Sequence, residues 1–198
     1  ELAGHTVLSA RDLCTIDIIE SIMDTGVGAL KIEGRMKDAL YVKTTVECYR
    51  EARDAVLAGV YNKKLADSLK ARLLRVFHRG FSSGFYLRRP DEEIAREEGS
   101  HATVIKRYVG KVTNFYPKAG AADIQIEAGG IAVGETVVIT GPTTGVVEFV
   151  AESMRSEENS PIARADSGDL IGLSIPEKVR DNDKVFVLSE KEESSNNK

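Results

Sequence analysis

The spacing of apolar residues changes abruptly near residue 100, and this change constrains the fold more than any other feature of the chain. Before Gly99, apolar residues recur at helical spacing in three segments, near 15–24, 38–58 and 62–77. From His101 onward they alternate with polar residues, and glycine, proline and aspartate punctuate the pattern. We therefore predict an α+β chain with a largely helical first half and an all-β second half.

Short strands of similar length fill the second half. The predicted strands are Val104–Asn114, Ala122–Glu127, Glu135–Thr140, Val146–Met154, Asp169–Ile175 and Lys184–Leu188. Strands at this regular spacing are typical of a small closed antiparallel β-barrel. Residues 191–198 are predicted to be disordered, because a polar tail lacks the apolar side chains that would offset the entropy of ordering.

One strand in the first half is predicted to end on charged residues. Because a strand alternates its faces, Leu30 and Ile32 would point to one side while Lys31 and Glu33 point to the other. In a barrel of alternating strands and helices, charge at the carboxyl end of a strand indicates an active site. The alternative is that Lys31 and Glu33 only pair with each other or with a neighbour.

A charged loop links that strand to a long predicted helix. Gly34 allows a turn, Arg35 and Lys37 follow it, and the helix begins near Asp38. Its apolar stripe is predicted to be Val42, Thr45, Val46, Tyr49, Ala52 and Val56. Lys31, Glu33, Arg35 and Lys37 together are therefore candidate catalytic residues at a barrel mouth.

These residues lie within motifs that resemble the collagenase-like peptidases of family U32. The motifs are Ser-x-x-Asp-Leu-Cys at 9–14, Leu-Lys-Ile-Glu-Gly-Arg-Met-Lys at 30–37, Tyr-Arg-Glu-Ala at 49–52 and Arg-Gly-Phe-Ser-Ser-Gly-Phe-Tyr at 79–86. The resemblance implies that residues 1–60 are the last strand–helix units of a TIM-like barrel. It also implies that the chain is the carboxyl-terminal portion of a longer protein, with its catalytic domain upstream.

The family resemblance implies two functions, and both stay open at this point. Its members include proteins that hydroxylate tRNA or rRNA bases, so the parent would be an RNA-modifying enzyme and this fragment alone would be inactive. Alternatively, the parent is a peptidase, and the β-barrel is a substrate- or protein-docking module.

The resemblance also suggests a role for one of the two cysteines. In the hydroxylating relatives, Cys14 would correspond to the last of four thiolates that hold an iron-sulfur cluster, the other three lying upstream. The fragment itself would then carry no cofactor. The alternative is that Cys14 is an ordinary buried or exposed thiol, and Cys48 is interpreted as a small packed hydrophobe.

A basic segment with interleaved aromatic residues follows residue 60. Over 63–89 only Asp67 is acidic, and this composition suits phosphate contacts combined with base stacking. The predicted RNA-binding residues are Lys63, Lys64, Arg72, Arg75, Arg79, Phe81, Phe85 and Arg88. The alternative is a solvated helix face beside ordinary core aromatics. The partner would be tRNA or rRNA, together with the upstream catalytic domain.

The chain is thus divided into four predicted parts, residues 1–60, 61–99, 100–190 and 191–198. The third resembles the second-domain β-barrel of translation elongation factors, at 108–112, 130–135 and 165–173. Residues 91–198 hold 12 basic and 20 acidic residues, which argues against a broad phosphate-binding face on that barrel.

Several classes of protein lack support in the sequence. No apolar run approaches the length of a membrane span and no signal peptide opens the chain, so a cytoplasmic location is predicted. No His-Glu-x-x-His helix indicates zinc. Ser82 lies in a Gly-x-Ser-x-Gly motif, but a nucleophile elbow needs a strand before the serine and a helix after it, so we interpret this segment as a turn.

Overall fold

The structure, a computed structural model, describes residues 11–76, 78–87 and 100–191. It divides the chain into two compact units, residues 1–103 and 104–198, called unit 1 and unit 2 below. Predictions about residues before Arg11, Phe77, Arg88, the connector 91–98 and the tail beyond 191 lie outside the described residues. None of the helices in the described ranges is both long enough and apolar enough to cross a membrane.

Unit 1 packs short helices around one small apolar core. A 3-10 turn, Ile16–Ile18, leads into α1 (Ile19–Asp24), and α2 (Ala39–Leu57) and α3 (Lys63–Leu74) follow. Two very short strands, β1 (Asp12–Leu13) and β2 (Phe81–Ser82), pair in parallel. The buried core consists of Ile16, Ile19, Cys48, Ala52, Ala66, Leu69 and Leu73.

The two long helices begin where the sequence predicts, because a side-chain oxygen caps each of them. Asp38 accepts a hydrogen bond from the Tyr41 amide at 2.8 Å, and Asn62 accepts one from the Leu65 amide at 3.0 Å. Gly59, at φ +68°, ends α2 as predicted, because this left-handed conformation lets the Gly59 and Val60 amides bond back to the last turn.

The buried face of α2 differs from the predicted stripe. The buried residues are Leu40, Thr45, Cys48, Ala52 and Ala55. Val42 and Val46 are 37% and 45% exposed instead. Thr45 and Ala52 of the predicted stripe are buried, and Tyr49 and Val56 pack partly buried against the core, as predicted. The other two stripe residues are exposed, because α2 faces α1 and α3 mainly through small side chains, which let helix backbones approach closely.

The strand predicted at 29–33 is absent from the described part of unit 1. These residues are irregular. The two described strands of this unit, β1 and β2, pair with each other and not with residues 29–33. Alternation in the sequence marks residues that suit a strand, but a strand exists only where a partner supplies hydrogen bonds.

Unit 2 is a mainly antiparallel β structure. Its strands are β3 (Val104–Tyr116), β4 (Ala121–Ile126), β5 (Gly130–Ala132), β6 (Thr136–Gly141), β7 (Gly145–Val150), β8 (Met154–Ser156), β9 (Pro161–Ile162), β10 (Arg164–Asp166), β11 (Leu170–Ser174) and β12 (Lys184–Glu190). Eight of them form one sheet in the order β7-β6-β12-β3-β4-β11-β8-β9, and β5 pairs with β10 separately. The ladders between described residues show a large antiparallel sheet, and none of them joins β7 to β9, so closure of the predicted barrel is not confirmed.

The strand prediction for unit 2 holds for the longer strands and fails for the short ones. The predicted strand Val146–Met154 is split at the buried residue Ala151, whose amide bonds to the Glu135 carbonyl, into β7 and β8. Strands β5, β9 and β10 were not predicted, because two or three residues are too few to show alternation. The inward residues of the long strands form the core, including Val109, Ile124, Ile139, Leu173 and Val187.

Candidate functional site

The carboxylate of Asp12 is the centre of the most connected polar cluster in unit 1. Pairing of β1 with β2 fixes its backbone, since the Asp12 amide donates to the Gly80 carbonyl at 2.9 Å. Lys37 Nζ donates to both carboxylate oxygens at 3.2 Å, and the Arg79 amide donates to Oδ2 at 2.9 Å. The Arg79 guanidinium lies 3.9 Å from Oδ1. We call these three residues the Asp12 cluster.

A tight turn delivers Lys37 to this cluster. The Lys37 amide donates to the Gly34 carbonyl at 3.1 Å, and Met36 between them adopts a left-handed conformation at φ +63°. The Lys37 ammonium also lies 4.7 Å from the centre of the Tyr41 ring, a cation–π contact. Burial raises the pKa of Tyr41, and the negative charge of Asp12 adds to the increase.

The other predicted catalytic residues lie outside the Asp12 cluster. Lys31, Glu33 and Arg35 are exposed on the irregular loop before α2. The Glu33 carboxylate accepts a hydrogen bond from the Arg35 amide at 2.6 Å, so it stabilises its own loop. The structure therefore brings Lys37 to Asp12 and leaves the remaining three side chains at the surface.

His78 and its neighbours flank the cluster on the β2 side. The His78 ring is buried, stacks on Phe81 with a centroid distance of 4.5 Å and accepts a hydrogen bond from the Gly80 amide at Nδ1. Its Nε2 atom is buried without a hydrogen-bond partner among the described residues. Burial lowers the pKa of His78, and the nearby His101 ring, 6.0 Å away, lowers it further.

Cys14 follows β1 and lines a small cavity of about 310 Å³. Arg11, Asp17, Lys70 and Ser82 also line this space. Burial raises the pKa of the Cys14 thiol, although hydrogen bonds with the Ile16 backbone and the Tyr49 hydroxyl oppose the increase. The thiol is therefore protonated at neutral pH, and a thiolate there requires a cation to replace the proton.

Cys48 is a packed core residue, as predicted. It is buried, its thiol points at the Leu69 carbonyl at 3.7 Å, and burial raises its pKa to about 11. Among the described residues no group of three or more His, Cys, Asp or Glu side chains is arranged to hold a metal ion.

Several cations of the basic segment pair with carboxylates, most of which belong to other elements. The ion pairs are Lys63–Asp67 at 2.8 Å, Lys70–Asp17 at 2.6 Å, Arg72–Glu51 at 2.5 Å and Arg79–Asp12 at 3.9 Å. Along the sequence these cations face only Asp67, but Asp12, Asp17 and Glu51 reach them across the fold. A basic run in sequence is therefore a mixed-charge face in unit 1.

The remaining predicted RNA-binding residues occupy different environments. Lys64 and Arg75 are exposed at the two ends of α3. Phe85 is 81% exposed, whereas Phe81 is partly buried against His78. Phe85 therefore has a ring available for stacking, and Phe81 has a structural partner already.

Ser82 lies at a turn and not at a nucleophile elbow. It ends the short strand β2, its Oγ accepts a hydrogen bond from the Gly84 amide at 2.8 Å, and a turn instead of a helix follows.

Sequence reasoning missed the centre of the site. Asp12 was part of a quoted motif, yet its role was not assigned, because its partners Lys37 and Arg79 are distant in sequence. His78 lies outside the quoted motifs, and no role was assigned to it either. The available signal was the occurrence of Asp12, Lys37 and Arg79 in three separate motifs of one family.

Comparison with known proteins gives a family match for the first half of the chain. Residues 2–96 match the model of peptidase family U32. Over 193 residues the chain is 38% identical to a collagenase of Porphyromonas gingivalis, covering 98% of this chain and 46% of that protein. It is 29% identical over 178 residues to tRNA hydroxylation protein P of Haemophilus influenzae, covering 89% of this chain and 38% of that protein.

The chain spans about half the length of the two collagenase relatives, 46% and 53%. One solved structure, the C-terminal domain of a U32 peptidase of Geobacillus thermoleovorans, aligns with a TM-score of 0.39 at 17% identity. That alignment covers 41% of this chain and 91% of the domain.

Proposed function

The chain belongs to peptidase family U32, and we propose that it is the carboxyl-terminal part of a longer enzyme that hydroxylates a base of tRNA or rRNA. In this proposal unit 1 completes the catalytic domain. The basic segment, residues 63–89, would hold the RNA, and we propose that unit 2 is a barrel of the elongation-factor second-domain type. The location would be cytoplasmic, where tRNA and rRNA are found.

The cavity at Cys14 carries this proposal. Its lining combines the Cys14 thiol with two cations, Arg11 and Lys70, and one acid, Asp17, so the net positive space suits a negatively charged substrate next to a soft metal ligand. Lys70 is held there by Asp17 at 2.6 Å. The only other cysteine, Cys48, is enclosed by the core, so this chain offers one thiolate to a cluster.

An iron-sulfur cluster fits this arrangement only with ligands from elsewhere. Four thiolates hold such a cluster, so Cys14 would be one ligand and three would come from the rest of the longer protein. When bound, the cluster would supply electron-transfer chemistry. The residues of this chain would hold the substrate, with Arg11 and Lys70 facing its phosphates.

The Asp12 cluster would position the catalytic loop in this proposal. Lys37 anchors the end of the loop, which leaves Lys31, Glu33 and Arg35 exposed to a substrate. Glu33→Gln in the longer protein should therefore reduce activity strongly with little loss of stability, because an exposed side chain contributes little to packing.

A peptidase is the second candidate, and the degree of similarity favours it. The collagenase relative is 38% identical to this chain, against 29% for the tRNA hydroxylation relative. In this candidate unit 2 docks a protein substrate. Ser82 supplies little local support, because its hydroxyl is bonded within a turn.

The test uses the longer protein, purified anaerobically, with Cys14→Ser and the matched control Cys48→Ala. We expect iron-sulfur absorbance and hydroxylated nucleosides, detected by mass spectrometry of tRNA and rRNA, to be lost with Cys14→Ser and retained with Cys48→Ala. Gelatin hydrolysis by the wild-type protein, with unchanged nucleosides in cells that lack it, would establish the peptidase instead.

A further inference from the structure

The outer face of the unit 2 sheet contains a trough that neither the family nor the proposed activity assigns. It has a volume of about 530 Å³ and lies over β4, β11 and β8. This volume falls in the range of small-molecule and short-peptide sites. The trough belongs to unit 2 alone, so its ligand is independent of the RNA-modifying activity proposed above and would specify the docking role that the peptidase candidate gives to unit 2.

Small residues form the floor of the trough. Strand register places Ala121 opposite Ser174, and Gly172 opposite both Asp123 and Arg155. All of these residues alternate with buried core residues, so they belong to the outer face. The sheet backbone is therefore accessible between two charged side chains.

The glycine at the centre of the floor is not required by the fold. Gly172 lies outside the positive-φ residues, and a Cβ placed on it would meet nothing closer than the Arg155 Cβ at 3.9 Å. A side chain at this position would fit the strand but would fill the trough.

The two walls carry opposite charges. On one side the Tyr116 hydroxyl donates to Asp123 at 2.7 Å, so ring and carboxylate form a fixed corner. That bond uses one of about four acceptor sites of the carboxylate. On the other side Arg155 donates to the Asn159 carbonyl at 2.9 Å and keeps further donors. Asp123 and Arg155 are two strand spacings apart, or about 10 Å.

A carboxylate held against an aromatic ring is suited to a guanidinium or ammonium group, by ion pairing and cation–π attraction together. A second acid, Glu157, also lines the trough, so the local charge is net negative. Unit 2 as a whole has 15 acidic and 11 basic residues over 104–198. This balance disfavours phosphate-rich nucleic acid and favours a cationic ligand.

We propose that the trough binds an extended peptide segment through a basic side chain. The basic group lies against Tyr116 and Asp123, the peptide backbone crosses the floor at Gly172, and a neighbouring carboxylate pairs with Arg155. Serine hydroxyls that line the trough, including Ser174 on its floor, supply hydrogen bonds to the peptide backbone.

The experiment is a titration of the ¹⁵N-labelled 198-residue chain, followed by amide chemical shifts. The probes are the hexapeptide Gly-Gly-Arg-Gly-Glu-Gly, its neutral counterpart Gly-Gly-Gln-Gly-Gln-Gly and a short oligoadenylate. We expect the charged peptide to shift the amides of Asp123, Arg155 and Gly172, and the neutral peptide to bind at least tenfold more weakly.

Two substitutions and one control locate the binding. Gly172→Val fills the floor with a residue that strands favour, and Asp123→Asn removes the charge while keeping an acceptor for Tyr116. Each should weaken binding at least tenfold, whereas Thr140→Val, on the outer face of β6, should leave it unchanged. Dispersed spectra confirm that the variants fold.

Three results would overturn the proposal. They are an absence of shifts at these amides with the charged peptide, unchanged binding by Gly172→Val, and tighter binding of oligoadenylate at the same amides. The last result would identify the trough as a nucleic-acid site.

Discussion

Lys37 and Asp12 stand 25 positions apart in the sequence, and the Lys37 ammonium lies 3.2 Å from both carboxylate oxygens of Asp12. The two side chains are only 10% and 16% exposed. Removal of one partner from a largely buried pair leaves an uncompensated charge, which is more costly than loss of the attraction itself. The pair therefore fastens the loop before α2 to β1.

Lys37→Met should destabilise unit 1 by about 3 kcal/mol, because Asp12 would keep a largely buried charge whose remaining partners are the Arg79 amide and the more distant Arg79 guanidinium. The measurement is urea unfolding followed by circular dichroism at 222 nm, which reports on the helices. The matched control is Lys63→Met, which breaks the Lys63–Asp67 pair on an exposed helix face. Equal effects of the two substitutions would show that the Asp12 cluster contributes no more than a surface pair.

The stability of unit 1 should fall as the pH decreases below about 6.5, the ordinary pKa of histidine. Because the pKa of His78 is lowered in the folded state, the unfolded chain binds its proton first as the pH falls. This contribution to stability is therefore fully present above the pKa that His78 has in the unfolded chain. It is lost as the pH falls toward the lower pKa of the folded state. His78→Phe should flatten this dependence between pH 7 and pH 5, and His101→Gln should reduce it less. A dependence that survives His78→Phe would assign it to other groups.

The two thiols should differ in their reaction with iodoacetamide at pH 8. Cys14 lines a cavity and should react slowly, because burial raises its pKa. Cys48 is fully buried with a pKa of about 11 and should react only after unfolding. Pulsed alkylation with and without urea, read by mass spectrometry of the two peptides, measures both rates. Faster labelling of Cys48 in the native protein would contradict the described core.

Gly110→Ala should destabilise unit 2 by about 3 kcal/mol, the upper range for overpacking. A Cβ on Gly110 would overlap the Gln125 carbonyl oxygen of the neighbouring strand, and a backbone atom cannot rotate away. Gly172→Ala is the control, because its Cβ would meet only ordinary contacts. Hydrogen exchange of the β3 and β4 amides measures the effect. Similar amide protection in Gly110→Ala and Gly172→Ala would mean that β3 and β4 move apart at Gly110 without loss of stability.

Binding of tRNA by the basic segment should strengthen when its internal ion pairs are removed. Glu51→Gln and Asp17→Asn release Arg72 and Lys70 from their carboxylates. Each released cation that contacts a phosphate should steepen the slope of log affinity against log salt by about 0.7 to 0.9. Fluorescence anisotropy at several salt concentrations measures this slope. Unchanged slopes would identify the segment as a solvated helix face.

Local sequence signals predicted the parts of the fold that local interactions decide. The side chains of Asp38 and Asn62 cap their helices by accepting a hydrogen bond from the amide three residues later. Long strands are recognisable because apolar and polar residues alternate along them. Apolar and polar residues also alternate over 29–33, but no described strand pairs with this segment. Alternation within one segment does not show whether a partner strand is present. The ion pairs of the basic segment could not be predicted for the same reason, since Asp17 and Glu51 reach Lys70 and Arg72 only in the folded chain.

The candidate site shows the same limit. Lys37 was proposed from its motif, and the structure places it in the most connected polar cluster of unit 1. Asp12 could not be assigned as its partner, because a β-strand pair and a tight turn together bring the two residues into contact.

The last described strand, β12, lies inside the large sheet, where it pairs with β3 on one side and β6 on the other. During translation, β3 and β6 therefore emerge from the ribosome well before β12, the strand that pairs with both. Until residue 190 emerges, β3 and β6 of the nascent chain present unpaired edges that can recruit other chains. Premature termination upstream of β12 would consequently yield an aggregation-prone product instead of a shorter folded domain.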